Sequence, residues 1–289
     1  MRKVLITGAT GNVGMEVIKA LGRIEHPFDI FAGIREVDKN KENLSEFNLI
    51  PERFDFTDAS TFEASLNNCE ILFLLRPPQL SNSEKYFQPL VETAKKCGVK
   101  HLVFLSVQGV DKSTLIPHHT IEKLIVESRI PYTFLRPAYF MQNFTTTLHD
   151  ELVKKKRIFL PAGEAKFTLI DVRDVGEVAA KIIVNTSKHL NQSYDLTCSQ
   201  KLTFQEMADK LSEGLGVKIN YVSPNLVRFT WQKLRENVPF SYILVLIMLH
   251  YFPRFQREPF FSNAFQKITG KNPISFEQFV IDHKDLLLG

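Results

Sequence analysis

The segment Lys3-Val4-Leu5-Ile6-Thr7-Gly8-Ala9-Thr10-Gly11-Asn12-Val13-Gly14 constrains the fold more than any other part of the chain. An apolar run of strand character enters a turn with glycine at every third position. Val13, Val17, Ile18 and Leu21 then recur at helical spacing. In such a turn Gly8 allows the tight bend, Gly11 lets a pyrophosphate approach the backbone, and Gly14 permits close packing of helix on strand. The first helical turn directs free amides and its positive dipole end at the same point. A glycine triplet alone also serves structural turns; the strand before it and the helix after it make it a dinucleotide site. The residues placed in that site are Gly8, Thr10, Gly11, Asn12, Val13 and Gly14.

The order of elements extends the pattern. Phe28 to Ile34, Glu52 to Phe56, Glu70 to Leu75, Lys100 to Leu105 and Tyr132 to Leu135 read as strands, with helices at Asn82 to Cys97 and Leu115 to Ser128. Apolar strands alternating with helices imply a parallel sheet covered on both faces. The fold class is therefore α/β, a doubly wound NAD(P)-binding Rossmann domain. Beyond Pro137 the alternation is irregular. Helices are expected at Phe140 to Lys154, Val172 to Val184 and Phe204 to Leu215, and strands at Ile158 to Leu160, Phe167 to Ile170, Ser193 to Leu196 and Lys218 to Val222. No Pro-, Gly- or Ser-rich linker and no internal repeat intervenes. Residues 1–289 are expected to form one domain, with 1–150 mainly the dinucleotide-binding core and 151–289 mainly a smaller C-terminal α/β lobe for substrate or partner.

Composition removes several classes of function. The 36 Lys and Arg against 32 Asp and Glu leave a net charge of +4 that is spread along the chain, without the basic stripe that nucleic acid requires. The one basic run, Lys154-Lys155-Lys156-Arg157, reads as a solvated helix end. Cys69, Cys97 and Cys198 lie far apart with no metal-ligand spacing and no secretory segment before them, so no metal is expected, and reduced thiols in a cytoplasmic protein are. The apolar run Tyr242 to Leu249 falls short of the roughly 20 residues a bilayer span needs. It reads as a buried helix or an apolar pocket wall, and next as a subunit interface.

In a sheet of this kind the residues after each strand face the ligand. Arg35 follows the second strand, and a guanidinium there suits the 2′-phosphate of NADP, whereas Glu36 and Asp38 would suit the ribose of NAD; the balance is read as NADP(H) over NAD(H). Asp55 and Phe56 follow the third strand, as an adenine contact or as a helix cap and a core ring. Leu75 and Arg76 end the fourth, with Arg76 reaching phosphate or substrate or standing exposed. Ser106 ends the fifth, and Pro137, Ala138 and Tyr139 follow the sixth.

These residues together resemble the short-chain dehydrogenase/reductase superfamily, and within it the atypical NmrA-like group that includes NAD(P)H:quinone reductases. The resemblance rests on the Thr7 to Gly14 turn, Arg35, Asp55-Phe56, Ser106, Lys123, Tyr132 to Pro137, Phe140 to Phe144, and a tail from Phe265 to Phe279. It implies a Tyr-x-x-x-Lys pair, but here the spacing survives as His119-Thr120-Ile121-Glu122-Lys123 and the tyrosine does not. By resemblance Lys123 is a ribose ligand, with a surface lysine as the alternative. His119, one helical turn away on the same face, relays a proton or is a polar helix residue without a chemical step. Catalytic candidates are His119, Lys123, Ser106 and Asn143. A quinone accepts hydride without a strong acid, so the implied reaction is NADPH-dependent reduction of a quinone or similar small apolar electrophile, with Asn143 and Tyr139 positioning it. Two other readings stand beside it: a non-catalytic NAD(P) sensor that binds a protein partner, and a nucleotide-sugar epimerase or dehydratase, which usually needs the tyrosine.

Overall fold

Strand β1 (Lys3–Thr7) is buried along its whole length, as is β5 (His101–Leu105), because helices cover both faces of the sheet they belong to. The computed structural model describes residues 2–37, 47, 49–80, 82–112, 114, 116–256 and 258–289; Asp38 and Leu115 therefore lie outside the described residues. With β2 (Asp29–Ile34), β3 (Ile50–Arg53), β4 (Cys69–Leu75), β6 (Tyr132–Pro137) and β10 (Gln192–Leu196), β1 and β5 form a seven-stranded sheet of order β10-β6-β5-β4-β1-β2-β3. Every pairing in it is parallel. The order reverses between β1 and β4, the crevice where doubly wound sheets hold ligands. The fold class read from the sequence is thus the one observed.

Helix α1 (Asn12–Leu21) buries Val13, Val17, Ile18 and Leu21, the stripe expected from their spacing. Helix α6 (Val172–Val184) packs on α1 at Gly176, where a Cβ would stand 2.6 Å from the Glu16 backbone. On the other face, α2 (Ser60–Leu66), α3 (Ser83–Lys96) and α4 (Pro117–Ser128) enclose Phe62, Phe87, Leu90, Ile121 and Ile125 with Leu72, Leu102, Phe104 and Phe134 of the strands. Asn82 caps α3 through the Lys85 amide, and Pro117 takes the first helical position of α4.

The chain divides into two compact units. The first comprises residues 1–137, 172–196 and 263–271, and the second 138–171, 197–262 and 272–289. The division interleaves and has no single boundary near residue 150, because β10 completes the sheet of the first unit, α6 packs on α1, and α10 (Ala264–Thr269) packs on α6 and β10.

In the second unit, β7 (Tyr139–Phe140), β9 (Lys166–Ile170) and β11 (Lys201–Thr203) form one small sheet, and β8 (Arg157–Phe159) pairs with β12 (Asn220–Val222). Its core gathers Phe144, Phe159, Phe204, Phe229, Phe276 and Phe279. A Thr203–Glu206 capping box starts α7 (Phe204–Leu215). Helices α8 (Leu226–Arg235), α9 (Phe240–His250), α11 (Phe276–Asp282) and α12 (Lys284–Leu288) complete the unit.

The helix expected over Phe140 to Lys154 is replaced by β7, a 3-10 turn at Met141–Thr145 and a short α5 (His149–Lys155). Thr145 and Thr146 both donate their hydroxyls to the Gln142 carbonyl, an alternative to the helical ladder that this run of threonines offers. Strand β3 begins earlier than expected and ends at Arg53, where the Asp55 carboxylate accepts hydrogen bonds from the Thr57 amide and hydroxyl and turns the chain.

Candidate dinucleotide site

The glycine turn is built as its spacing requires. Gly8 has φ +63°, in the left-handed region, and its carbonyl accepts the Gly11 amide at 2.9 Å. A Cβ on Gly14 would stand 2.2 Å from the Gly8 carbonyl oxygen, so only glycine allows α1 this close to the turn. Gly11 is the N-cap of α1 with no side chain capping the helix, and Thr10, Gly11 and Asn12 are exposed. The arrangement is a cradle of backbone amides at a positive dipole end, which fits a pyrophosphate. Leu75 lies directly under Gly8.

Thr7 locks the crevice from below. Its hydroxyl donates to the Phe73 carbonyl at 3.0 Å and accepts from the Leu75 amide at 2.9 Å, tying β1 to β4 where the strand order reverses. The sequence places Thr7 in the turn without revealing this role, which depends on which strand β1 meets. Arg35 follows β2 and is exposed, free to reach a ligand phosphate.

Ser106 at the end of β5 is buried, and its hydroxyl has no hydrogen-bond partner among the described residues. An orphaned buried hydroxyl at a strand end is what a ligand polar group would satisfy. Its amide is held by the Leu135 carbonyl, and the Gln108 amide by the Pro137 carbonyl, which fixes the loop.

The other candidates have partners within the protein. Phe56 packs against Phe54 and Phe87 at 4.8 and 5.3 Å between ring centroids, so it is a core ring, and Asp55 serves its own turn. Arg76 donates to the Pro77, Pro78 and Leu80 carbonyls of its own loop and to His118 Nε2 at 3.4 Å. It braces a loop and is half-buried. His119 Nδ1 lies 3.2 Å from the Val110 carbonyl, and Lys123 is 68% exposed and 3.8 Å from Glu127. The neighbouring His118, not singled out by sequence, is the more enclosed imidazole: its ring lies 5.9 Å from Phe104, tilted by 33°, and its Nδ1 is buried without a partner among the described residues. Burial, with the Arg76 charge beside it, brings its pKa down to about 3, so it is neutral at physiological pH.

In the second unit, Ala138 is buried and Tyr139 donates its hydroxyl to His250 Nε2 at 3.2 Å, while His250 Nδ1 donates to the Leu246 carbonyl at 2.7 Å. Asn143 shares a hydrogen bond with the same phenol, and burial raises the Tyr139 pKa. His250 is the polar anchor of an otherwise apolar helix, brought by burial to about 4.

The NmrA-like family model matches residues 1–258, and the chain belongs to that family. Among curated relatives it is 28% identical to prestalk A differentiation protein A of Dictyostelium discoideum, over 96% of this chain and 90% of that one. It is 30% identical to an NAD(P)H azoreductase of Xenophilus azovorans, over 77% of each, and 26% identical to quinone oxidoreductase 2 of Escherichia coli, over 75% and 76%. Among solved structures, a Citrobacter sp. triphenylmethane reductase complexed with NADP(H) superposes with a TM-score of 0.86 at 23% identity, covering 98% of this chain and all of that one. NmrA, a negative transcriptional regulator solved with NADP, gives 0.79 at 15% identity, covering 99% and 96%. At these identities the two structures establish the fold.

Proposed function

We propose that the protein is an NAD(P)H-dependent oxidoreductase, favouring NADPH, that reduces quinones or similar small apolar electrophiles. The observation that carries this reading is the cradle at Gly8, Gly11 and Gly14, with the unpartnered Ser106 hydroxyl at the end of β5. Three NAD(P)H- or quinone-linked reductases among the similar proteins support it.

The α1 amides bind the pyrophosphate, Arg35 the 2′-phosphate, and Ser106 with Lys123 the nicotinamide end. Lys123 reaches a ribose by leaving the weak, exposed pair with Glu127, which costs little. When bound, the reduced dinucleotide supplies a hydride. Asn143 and Tyr139 are assigned to the acceptor. A quinone that takes up hydride becomes a hydroquinone anion, a weak base that water protonates, so the tyrosine missing at position 119 is dispensable for this class of acceptor. An ordinary ketone would form a strongly basic alkoxide and lose the roughly 10²- to 10⁴-fold help of a positioned acid.

The test is NADPH oxidation against a panel of quinones and one azo dye. Consumption above background with quinones is the expected result, and background rates with every acceptor contradict it. The exposed Lys123 and the missing tyrosine favour one second reading, a non-catalytic dinucleotide sensor. It predicts saturable NADPH binding, no turnover, and a protein partner whose affinity shifts with NADP.

A further inference from the structure

Helix α9 (Phe240–His250) carries no Asp, Glu, Lys or Arg, and it is only half used by the unit that contains it. Ile243, Leu246 and His250 face inward, with His250 fixed by its bonds to Tyr139 and Leu246. The opposite stripe of Leu244, Val245, Met248 and Leu249 is exposed, and Met248 is 51% accessible. Trp231 on α8, 58% accessible, and Phe255 beyond α9 extend the apolar surface. Large apolar side chains exposed together in this way mark interaction sites.

The exposed charges of the segment that carries the patch are mainly cationic. Residues 226–256 contain Arg228, Lys233, Arg235 and Arg254 against one carboxylate, Glu236. Glu236 pairs with Lys155 at 2.6 Å and Lys233 at 2.7 Å, which neutralises Lys233 as well and leaves Arg228, Arg235 and Arg254 as the exposed cations of this segment. Arg235 lies over the Trp231 ring at 4.6 Å, and Arg254 over Tyr251 at 5.1 Å, placing cations beside aromatic rings. Among the described residues no helix is long and apolar enough to cross a membrane.

We propose that this face of the second unit docks on an anionic lipid surface, with the α9 stripe and Trp231 entering the interface and the arginines meeting the headgroups. Tryptophan, aromatic and aliphatic side chains ringed by arginine match that boundary in both polarity and charge. A second copy of the chain fits less well. A two-fold contact through the same face would bring together two patches with the same surplus of cations. The inference does not depend on which acceptor, if any, the protein reduces.

Trp231 is the only tryptophan, so its emission reports the patch directly. The full chain is mixed with vesicles of phosphatidylcholine alone and of phosphatidylcholine with phosphatidylglycerol, then sedimented. Co-sedimentation with the anionic vesicles, a blue shift of Trp231 emission and release at high salt are expected. The double substitution Leu244→Glu, Met248→Glu abolishes both signals while far-ultraviolet circular dichroism and NADPH binding are unchanged. The pair Arg228→Gln, Arg235→Gln, which leaves the apolar stripe intact, weakens binding on the order of tenfold. The proposal is overturned if the protein stays in the supernatant with unshifted emission, or if neutral and anionic vesicles bind it equally. A dimer in light scattering that the glutamate pair dissociates would also overturn it.

Discussion

At the scale of single residues, the site is a set of side chains and amides with different degrees of dependence on neighbours. Arg35 acts alone: it stands exposed after β2. Arg35→Ser is expected to lower NADPH affinity about 10- to 150-fold, the effect of losing one charge-assisted hydrogen bond, and to leave NADH affinity nearly unchanged; parallel titrations with the two cofactors measure this. Equal loss for both would remove Arg35 from the 2′-phosphate. Such residues were legible because their place follows from local sequence: glycine spacing for Gly8, Gly11 and Gly14, strand end for Arg35 and Ser106. His118 and Arg76 were not. Their pairing needs the loop after β4 to meet the first turn of α4, residues 42 positions apart, and no periodicity in the chain records that meeting. Phe56 shows the converse, a ring at a strand end that the core took instead.

At the scale of elements, the β1–β4 seam determines whether the cradle keeps its shape. Thr7→Val preserves the volume but leaves the buried Phe73 carbonyl and Leu75 amide without their shared partner. A loss of about 1–3 kcal/mol is expected in urea unfolding with the slope unchanged. No change in stability would show that the hydroxyl is not what ties the strands. Strands of the first unit were legible because both faces are buried, so their apolar runs stand out between polar helices and turns. The stretch after Pro137 was harder for a physical reason. Its threonines compete with the helical ladder through their own hydroxyls, and its strands are two to five residues long, too short to show a period. The interleaving of the units is not legible in the sequence, because it depends on β10 pairing with β6 and on α6 packing against α1.

At the scale of the whole molecule, three enclosed histidines link stability to pH. His118 sits at about 3, and His101 and His250 at about 4, each brought down chiefly by burial. Their folded values lie below the unfolded value near 6.5, so the unfolded chain binds more protons, and stability falls as pH drops through about 6.5 toward 4. Each histidine contributes up to about 1.4 kcal/mol per pH unit in that window. Glu236 and Glu277, both at about 2 through hydrogen bonds from lysine and glutamine that outweigh their burial, act in a lower window. Their stabilisation is present above about 4.5 and is lost as pH falls toward 2. Thermal unfolding from pH 8 to 4 is expected to show Tm constant above pH 7 and falling steadily below 6.5; a Tm independent of pH across that range would contradict the buried, neutral assignment.

The central claim is that the first unit holds a dinucleotide by the close approach of α1 to the Gly8 turn. Calorimetric titration of NADPH into the wild-type protein and into Gly14→Val tests it most directly. The account predicts one saturable site in the wild type and none in the variant, where the new side chain must displace the Gly8 carbonyl from 2.2 Å. No binding by the wild-type protein, or undiminished affinity in a folded Gly14→Val, would contradict it.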